Sequence, residues 1–84
     1  MTQVTLNFWA GARAAAGRPS ETVEAGSVAE ALDLVLTRHA DARFTRVIRA
    51  SSVLVDGLAR GGAALLDPLT RPTEVEVLPP FAGG

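Results

Sequence analysis

Val4, Leu6 and Phe8 alternate with Thr5, Asn7 and Trp9 near the start of the chain. A period of two sends successive side chains to opposite faces, so the pattern predicts a strand with Val4, Leu6 and Phe8 buried. Residues Ala10 to Ala16 are alanine-rich, with Arg13 at the centre and Gly11 and Gly17 towards the ends. That composition predicts a short helix or turn, stopped by Gly17. Ser20 to Glu24 predicts a second strand, antiparallel to the first. The stretch between them is too long for a two-residue hairpin.

The clearest element begins at Ser27. Ser27 and Glu30 have the spacing of a capping box, in which the hydroxyl accepts the amide of Glu30 and the carboxylate reaches back. Val28, Ala31, Leu32, Val35 and Leu36 then recur at helical spacing and form one apolar stripe. Arg38 and His39 fall where positive charge opposes the negative end of a helix. A helix over Val28–His39 is expected, with His39 a helix-end residue rather than a catalyst.

Asp41 to Arg49 fits either a short helix or a loop that tucks Phe44 inward. Phe44, Val47 and Ile48 lie on one side and Arg43, Arg46 and Arg49 on the other, where they either meet an acidic partner surface or, as the expected role, form a solvated face. Ser52 to Val55 predicts a strand, and Asp56-Gly57 is a strong hairpin signal. Leu58-Ala59-Arg60 returns briefly, Gly61-Gly62 breaks it, and Leu65-Leu66 is expected to re-enter the core. Asp67-Pro68-Leu69 marks a turn. Thr73 to Leu78 predicts the last strand, with Val75 and Val77 inward and Glu74 and Glu76 outward. Two strands, a helix, a long gap and a final strand returning beside the first predict an α+β, β-grasp fold: a mixed sheet packed by one main helix. The expected division is a β-grasp domain over 1–78 and a flexible tail over 79–84.

Composition narrows the chemistry. Eighty-four residues make one domain, and 48% hydrophobic content argues against disorder. The absence of cysteine excludes disulfides, thiolate metal sites and a thiol nucleophile. A net charge of -1 carries no field for nucleic acid. All eight basic residues are arginine. No apolar run approaches a membrane span, and Met1-Thr2-Gln3 lacks the basic start of a signal peptide, so a soluble cytoplasmic protein is expected. The spacing from Gly11 to Gly17 lacks the Lys-Ser/Thr of a phosphate loop.

The most informative segment is the last one. Pro79-Pro80-Phe81-Ala82-Gly83-Gly84 follows the final strand directly. Glycine has no Cβ, so a partner can close tightly around Gly83-Gly84 and reach a terminal carboxylate. Extended, six residues reach about 20 Å. Pro79 and Pro80 favour an extended path and reduce the entropy lost on threading. Phe81 either anchors in a partner's channel mouth or packs back on its own domain. Trp9, opposite the Val4-Leu6-Phe8 face, either marks an exposed apolar patch for a partner or caps the sheet.

Taken together, the strand at Val4–Phe8, the helix from Ser27, the hairpin from Val53 to Gly57, Asp67-Pro68-Leu69 and the segment from Glu74 to Gly84 resemble the ubiquitin-like sulfur carriers. The resemblance is to the small subunits of molybdopterin synthase, the MoaD type, and Pro79-Pro80 favours that branch over the thiamine sulfur carriers. It implies that a ubiquitin-activating-type enzyme uses ATP to adenylate Gly84. A sulfur donor then replaces the adenylate and leaves a thiocarboxylate. The sulfur passes to a pterin precursor in the large subunit of the synthase, towards the molybdenum cofactor. Gly84 carries the reacting group, Gly83 lets the cord pass a narrow channel, and Pro79, Pro80, Phe81, Ala82 and Trp9 meet the partner. The chain itself is expected to bind no cofactor or metal and to be a non-catalytic sulfur-carrying subunit. One departure is Arg71-Pro72-Thr73, where the family commonly has a Gly-Asp-type turn.

Other functions compete. Sulfur transfer in thiamine or cysteine synthesis uses the same chemistry. A ubiquitin-like modifier would join Gly84 to lysines of other proteins; without lysine, this chain cannot form lysine-linked chains on itself. An interaction module with an inert tail is a third possibility. An acyl carrier is rejected for want of an Asp-Ser-Leu attachment site.

Overall fold

The computed structural model describes residues 1–80. Strand β1 (Thr2–Phe8) buries Val4, Leu6 and Phe8 as its alternation requires. Helix α1 (Ala10–Ala16) follows, so the helix is the form this alanine-rich stretch takes. Gly17 ends it at φ 76, a left-handed conformation that costs glycine little. Strand β2 (Ser20–Ala25) pairs antiparallel with β1.

Helix α2 (Val28–His39) starts on Ser27, whose Oγ accepts the Glu30 amide at 3.1 Å. The Glu30 carboxylate reaches one residue further back than a capping box requires, to the amide of Gly26. Val28, Ala31 and Val35 are buried, and Leu32 and Leu36 pack partly against the same core. The ambiguous stretch forms helix α3 (Ala42–Ala50), capped by Asp41 Oδ1 accepting the Phe44 amide at 2.8 Å. The cap starts the helix in the phase that turns Phe44 and Ile48 inward.

Strands β3 (Ser52–Val55) and β4 (Leu58–Arg60) form the expected hairpin. Asp56 and Gly57 sit at φ 48 and 86, the two left-handed residues of a tight turn whose twist suits the strands. Strand β5 (Thr73–Leu78) lies between β1 and β3, parallel to the first and antiparallel to the second. The sheet order is β2-β1-β5-β3-β4, with β5 at the centre. All three helices' buried residues share one core with the inward face of this sheet, which makes the mixed-sheet α+β, β-grasp architecture.

One expectation about the core is corrected. Leu65 packs partly against it, but Leu66 is 68% exposed. Gly62–Leu66 forms a 3-10 turn, and with about three residues per turn adjacent side chains diverge too far for both leucines to face inward. The unusual Arg71-Pro72-Thr73 connection is held by local bonds. Thr73 Oγ1 donates to the Arg71 carbonyl at 2.8 Å, and Arg71 lies 3.6 Å from Asp56 Oδ2. Asp56 also exchanges bonds with the Glu74 backbone, tying the hairpin turn to the start of β5. No described helix is long and apolar enough to cross a membrane.

Candidate docking face and tail

The helices cover one face of the sheet and leave the other open. On that open face β1 and β5 run parallel with Asn7 beside Glu76 and Thr5 beside Glu74. Two carboxylates two residues apart on β5 share a face and repel each other. Asn7 relieves this: its Nδ2 donates to Glu74 Oε1 at 3.0 Å and to Glu76 Oε2 at 2.9 Å. The other oxygen of Glu76 accepts from Trp9 Nε1 at 2.8 Å. Thr5 and Thr22 hydrogen-bond at 3.1 Å on the β2 side.

Trp9 is thereby held in place. Its amide donates to the Val77 carbonyl at 3.2 Å, and its own carbonyl accepts the amides that open α1. The indole nevertheless remains 50% exposed. It does not cap the sheet beneath a covering segment. A large ring fixed at one end and open to solvent suits an aromatic anchor for a partner.

The surface around it is mainly polar. Besides Trp9, its apolar side chains are the half-buried Leu54 and Leu78 and the exposed Ala59, placed there by the β3–β5 and β3–β4 registers. Parity is the reason: Val75 and Val77 point into the core, so β5 turns Glu74 and Glu76 outward.

One carboxylate lies inside the fold. Glu21 is buried, at 5% exposure. It occupies an inward position of β2, with Val23 and Ala25 the next residues of that face. His39 Nε2 hydrogen-bonds Glu21 Oε2, and Arg38 approaches Oε1 at 3.7 Å. The imidazole stacks on Phe44 with ring centroids 4.1 Å apart, and Phe44 meets Phe8 edge-on at 5.6 Å. His39 is a helix-end residue, as expected, but it also satisfies a buried carboxyl and links β2, α2 and α3. A charged residue at an inward strand position was the signal that could have revealed it.

Pro79 is half-buried and Pro80 exposed at the end of β5. Phe81, Ala82, Gly83 and Gly84 lie outside the described residues. The structure therefore brings Trp9 and the root of the tail to the same sheet. Arg43, Arg46 and Arg49 are exposed on α3, away from this face. Among the described residues, no group of three or more histidine, aspartate or glutamate side chains could hold a metal ion.

No protein-family model matches the chain, and no curated protein matches it either. Solved structures do. The small archaeal modifier protein 1 from Methanosarcina acetivorans superposes with a TM-score of 0.82 at 23% identity, over 100% of this chain and 98% of that one. SAMP1 from Haloferax volcanii gives 0.78 at 24% identity, over 98% and 99%. A complex of subunits 1 and 2 of the molybdopterin-converting factor from Helicobacter pylori gives 0.69 at 17% identity, again over 98% and 99%. At these identities the likeness is one of fold. The chain has the ubiquitin-like β-grasp fold that the resemblance to MoaD-type carriers implied.

Proposed function

We propose that the chain is a ubiquitin-like carrier whose Gly84 carboxylate is activated and then loaded with sulfur. The observation that carries the proposal is the position of β5. It is the central strand of the sheet, hydrogen-bonded on both sides, and it runs straight into Pro79-Pro80. A tail rooted in the most secured strand can be aimed into a partner while the domain stays rigid.

In this proposal an activating enzyme joins Gly84 to AMP from ATP with loss of pyrophosphate. A sulfur donor displaces AMP and leaves the thiocarboxylate. The acceptor in this reading is a pterin precursor held by a large subunit; a partner subunit is supported by the complex of subunits 1 and 2 of the molybdopterin-converting factor from Helicobacter pylori. Trp9, Pro79, Pro80, Phe81 and Ala82 meet that subunit, and Gly83 passes its narrowest point. The chain contributes no cofactor of its own, and the reaction belongs in the cytoplasm. The reading is supported by the described side chains: His39 and Glu21 are committed to each other, and Glu74 and Glu76 to Asn7 and Trp9.

A second reading has a specific observation behind it. Structures named as small archaeal modifier protein 1 share the fold over nearly the whole chain. A modifier would use the same activated Gly84 but pass it to a lysine of another protein. Intact mass spectrometry of the chain from its native cell separates the two. Replacement of one terminal oxygen by sulfur supports the carrier. A lasting isopeptide adduct supports the modifier. A carboxylate found unmodified under all conditions overturns both.

A further inference from the structure

The helix-bearing side of the molecule carries a second surface. A groove of about 400 Å³ opens between α2, the end of α3, the start of β3 and the 3-10 turn. Leu32, Leu36, Ile48, Leu65 and Leu66 give it an apolar lining, and Asp33 and Arg49 add one charge of each sign. Leu66 is the leucine that the 3-10 geometry turns out of the core, and it lines this groove.

Arg49 is also the last of an arginine row. Arg43, Arg46 and Arg49 recur every three residues on the exposed side of α3. Like charges one turn apart destabilise a helix, and solvated helix faces usually alternate in sign instead. Among the described residues, ion pairs join Arg38 to Glu21 and Arg71 to Asp56, and none reaches this row. The sole carboxylate in α3's neighbourhood by sequence, Asp41, is engaged in capping the helix.

We propose that the groove and the arginine row form one docking site for an acidic segment of a partner protein. An apolar side chain of that segment enters beside Leu65 and Leu66, and its carboxylates meet Arg46 and Arg49. The charge complementarity is bidentate in kind, which guanidinium groups favour with carboxylates. Asp33 opposes the segment and tempers its affinity. Trp9 lies on the open face of the sheet, so this site and the one at Trp9 can be occupied together. The proposal needs neither Gly84 nor sulfur, so it stands or falls apart from the proposed function.

The test uses the isotope-labelled full chain and a short synthetic peptide with one phenylalanine set among glutamates. Controls are the same peptide with lysine for glutamate and one with serine for phenylalanine. Amide shifts in nuclear magnetic resonance should saturate at Ile48, Arg49, Leu65 and Leu66 with the first peptide only. Arg46→Glu with Arg49→Glu should weaken binding roughly tenfold or more, and Leu66→Ser should also weaken it. Asp33→Asn should tighten it. All four positions are on the surface or groove, and unchanged melting curves will show that each variant is folded. Absence of saturable shifts at the groove, equal binding of the lysine peptide, or tighter binding of a short DNA duplex at the same residues would overturn the proposal. So would self-association that fills the groove with a second copy of the chain.

Discussion

Trp9 Nε1 donates to Glu76 Oε1 at 2.8 Å across the parallel seam of β1 and β5. This bond fixes a half-exposed indole beside the strand that leads into the tail. Trp9→Ala should therefore leave stability nearly unchanged, by about 1 kcal/mol or less, because the ring contributes little to the core. It should weaken docking to the proposed large subunit roughly tenfold or more if the ring is the anchor. Glu76→Gln keeps an acceptor for the indole and should retain most of the affinity; Glu76→Ala should not. Titration calorimetry of the three variants checks the order. Wild-type affinity in Trp9→Ala would remove the indole from the interface.

His39 faces a buried carboxyl, that of Glu21. Its removal in His39→Ala leaves Glu21 with Arg38 alone, a mostly exposed side chain at 3.7 Å, and takes away the ring stacked on Phe44. An abandoned buried polar group and the lost stacking should together cost about 2–4 kcal/mol. His39→Gln, which offers a donor again, should recover part of this. Urea unfolding at a fixed pH measures both. A loss below about 0.5 kcal/mol for His39→Ala would mean the pair does not support the fold.

Ala40 carries backbone strain that a small change can relieve. It caps α2 at φ 49 and ψ 43, a left-handed position where a Cβ crowds the backbone. Ala40→Gly should stabilise the domain by roughly 1 kcal/mol, the ordinary cost of an L-residue there. The urea midpoint should rise with an unchanged slope. A lower midpoint would mean that the unfolded chain's gain in freedom outweighs the relief.

Most of the fold was readable from periodicity. The inward triad Val4, Leu6 and Phe8, the Ser27 cap and the Asp56-Gly57 turn are local signals, and each produced the element it predicted. Leu66 misled because an apolar residue carries no mark of the turn type around it, and a 3-10 turn sent it outward. Glu21 and His39 are 18 residues apart and meet only because α2 folds back over β2. Asn7 reaches Glu74 and Glu76 across 67 and 69 residues through a parallel register that no local pattern encodes. The arrangement of Asn7, Trp9, Glu74 and Glu76 therefore had to be seen folded, whereas the reading of Gly83-Gly84 rests on residue type alone and falls outside the described residues.

Gly83 tests the proposed narrow channel. A valine there adds a branched side chain and narrows the backbone's choices. Gly83→Val should fold normally, since no described core residue lies beyond Val77. Loading or transfer of sulfur should collapse. Single-turnover assays with the activating enzyme and with the large subunit separate the two steps. Wild-type rates in both would show that no partner closes around this position.

Deleting Gly84 is the stronger test because it draws the terminal carboxylate back by one residue and removes nothing of the described domain. β5 ends at Leu78, and its pairing with β1 and β3 is complete before Pro79. Deleting Gly84 should leave the melting temperature within the error of measurement. The new terminal carboxylate on Gly83 is chemically similar, so any failure reports reach rather than reactivity. One residue shortens an extended tail by about 3.5 Å, more than the tolerance of a positioned acyl transfer. Thiocarboxylate formation should therefore fall to background although ATP, activating enzyme and sulfur donor are present. Adding one glycine to the full chain gives the complementary displacement and should also impair loading. Mass spectrometry reads all three chains in one experiment. Efficient loading of the shortened chain would show that the activating enzyme does not measure the tail, and Gly84 would lose its assigned role.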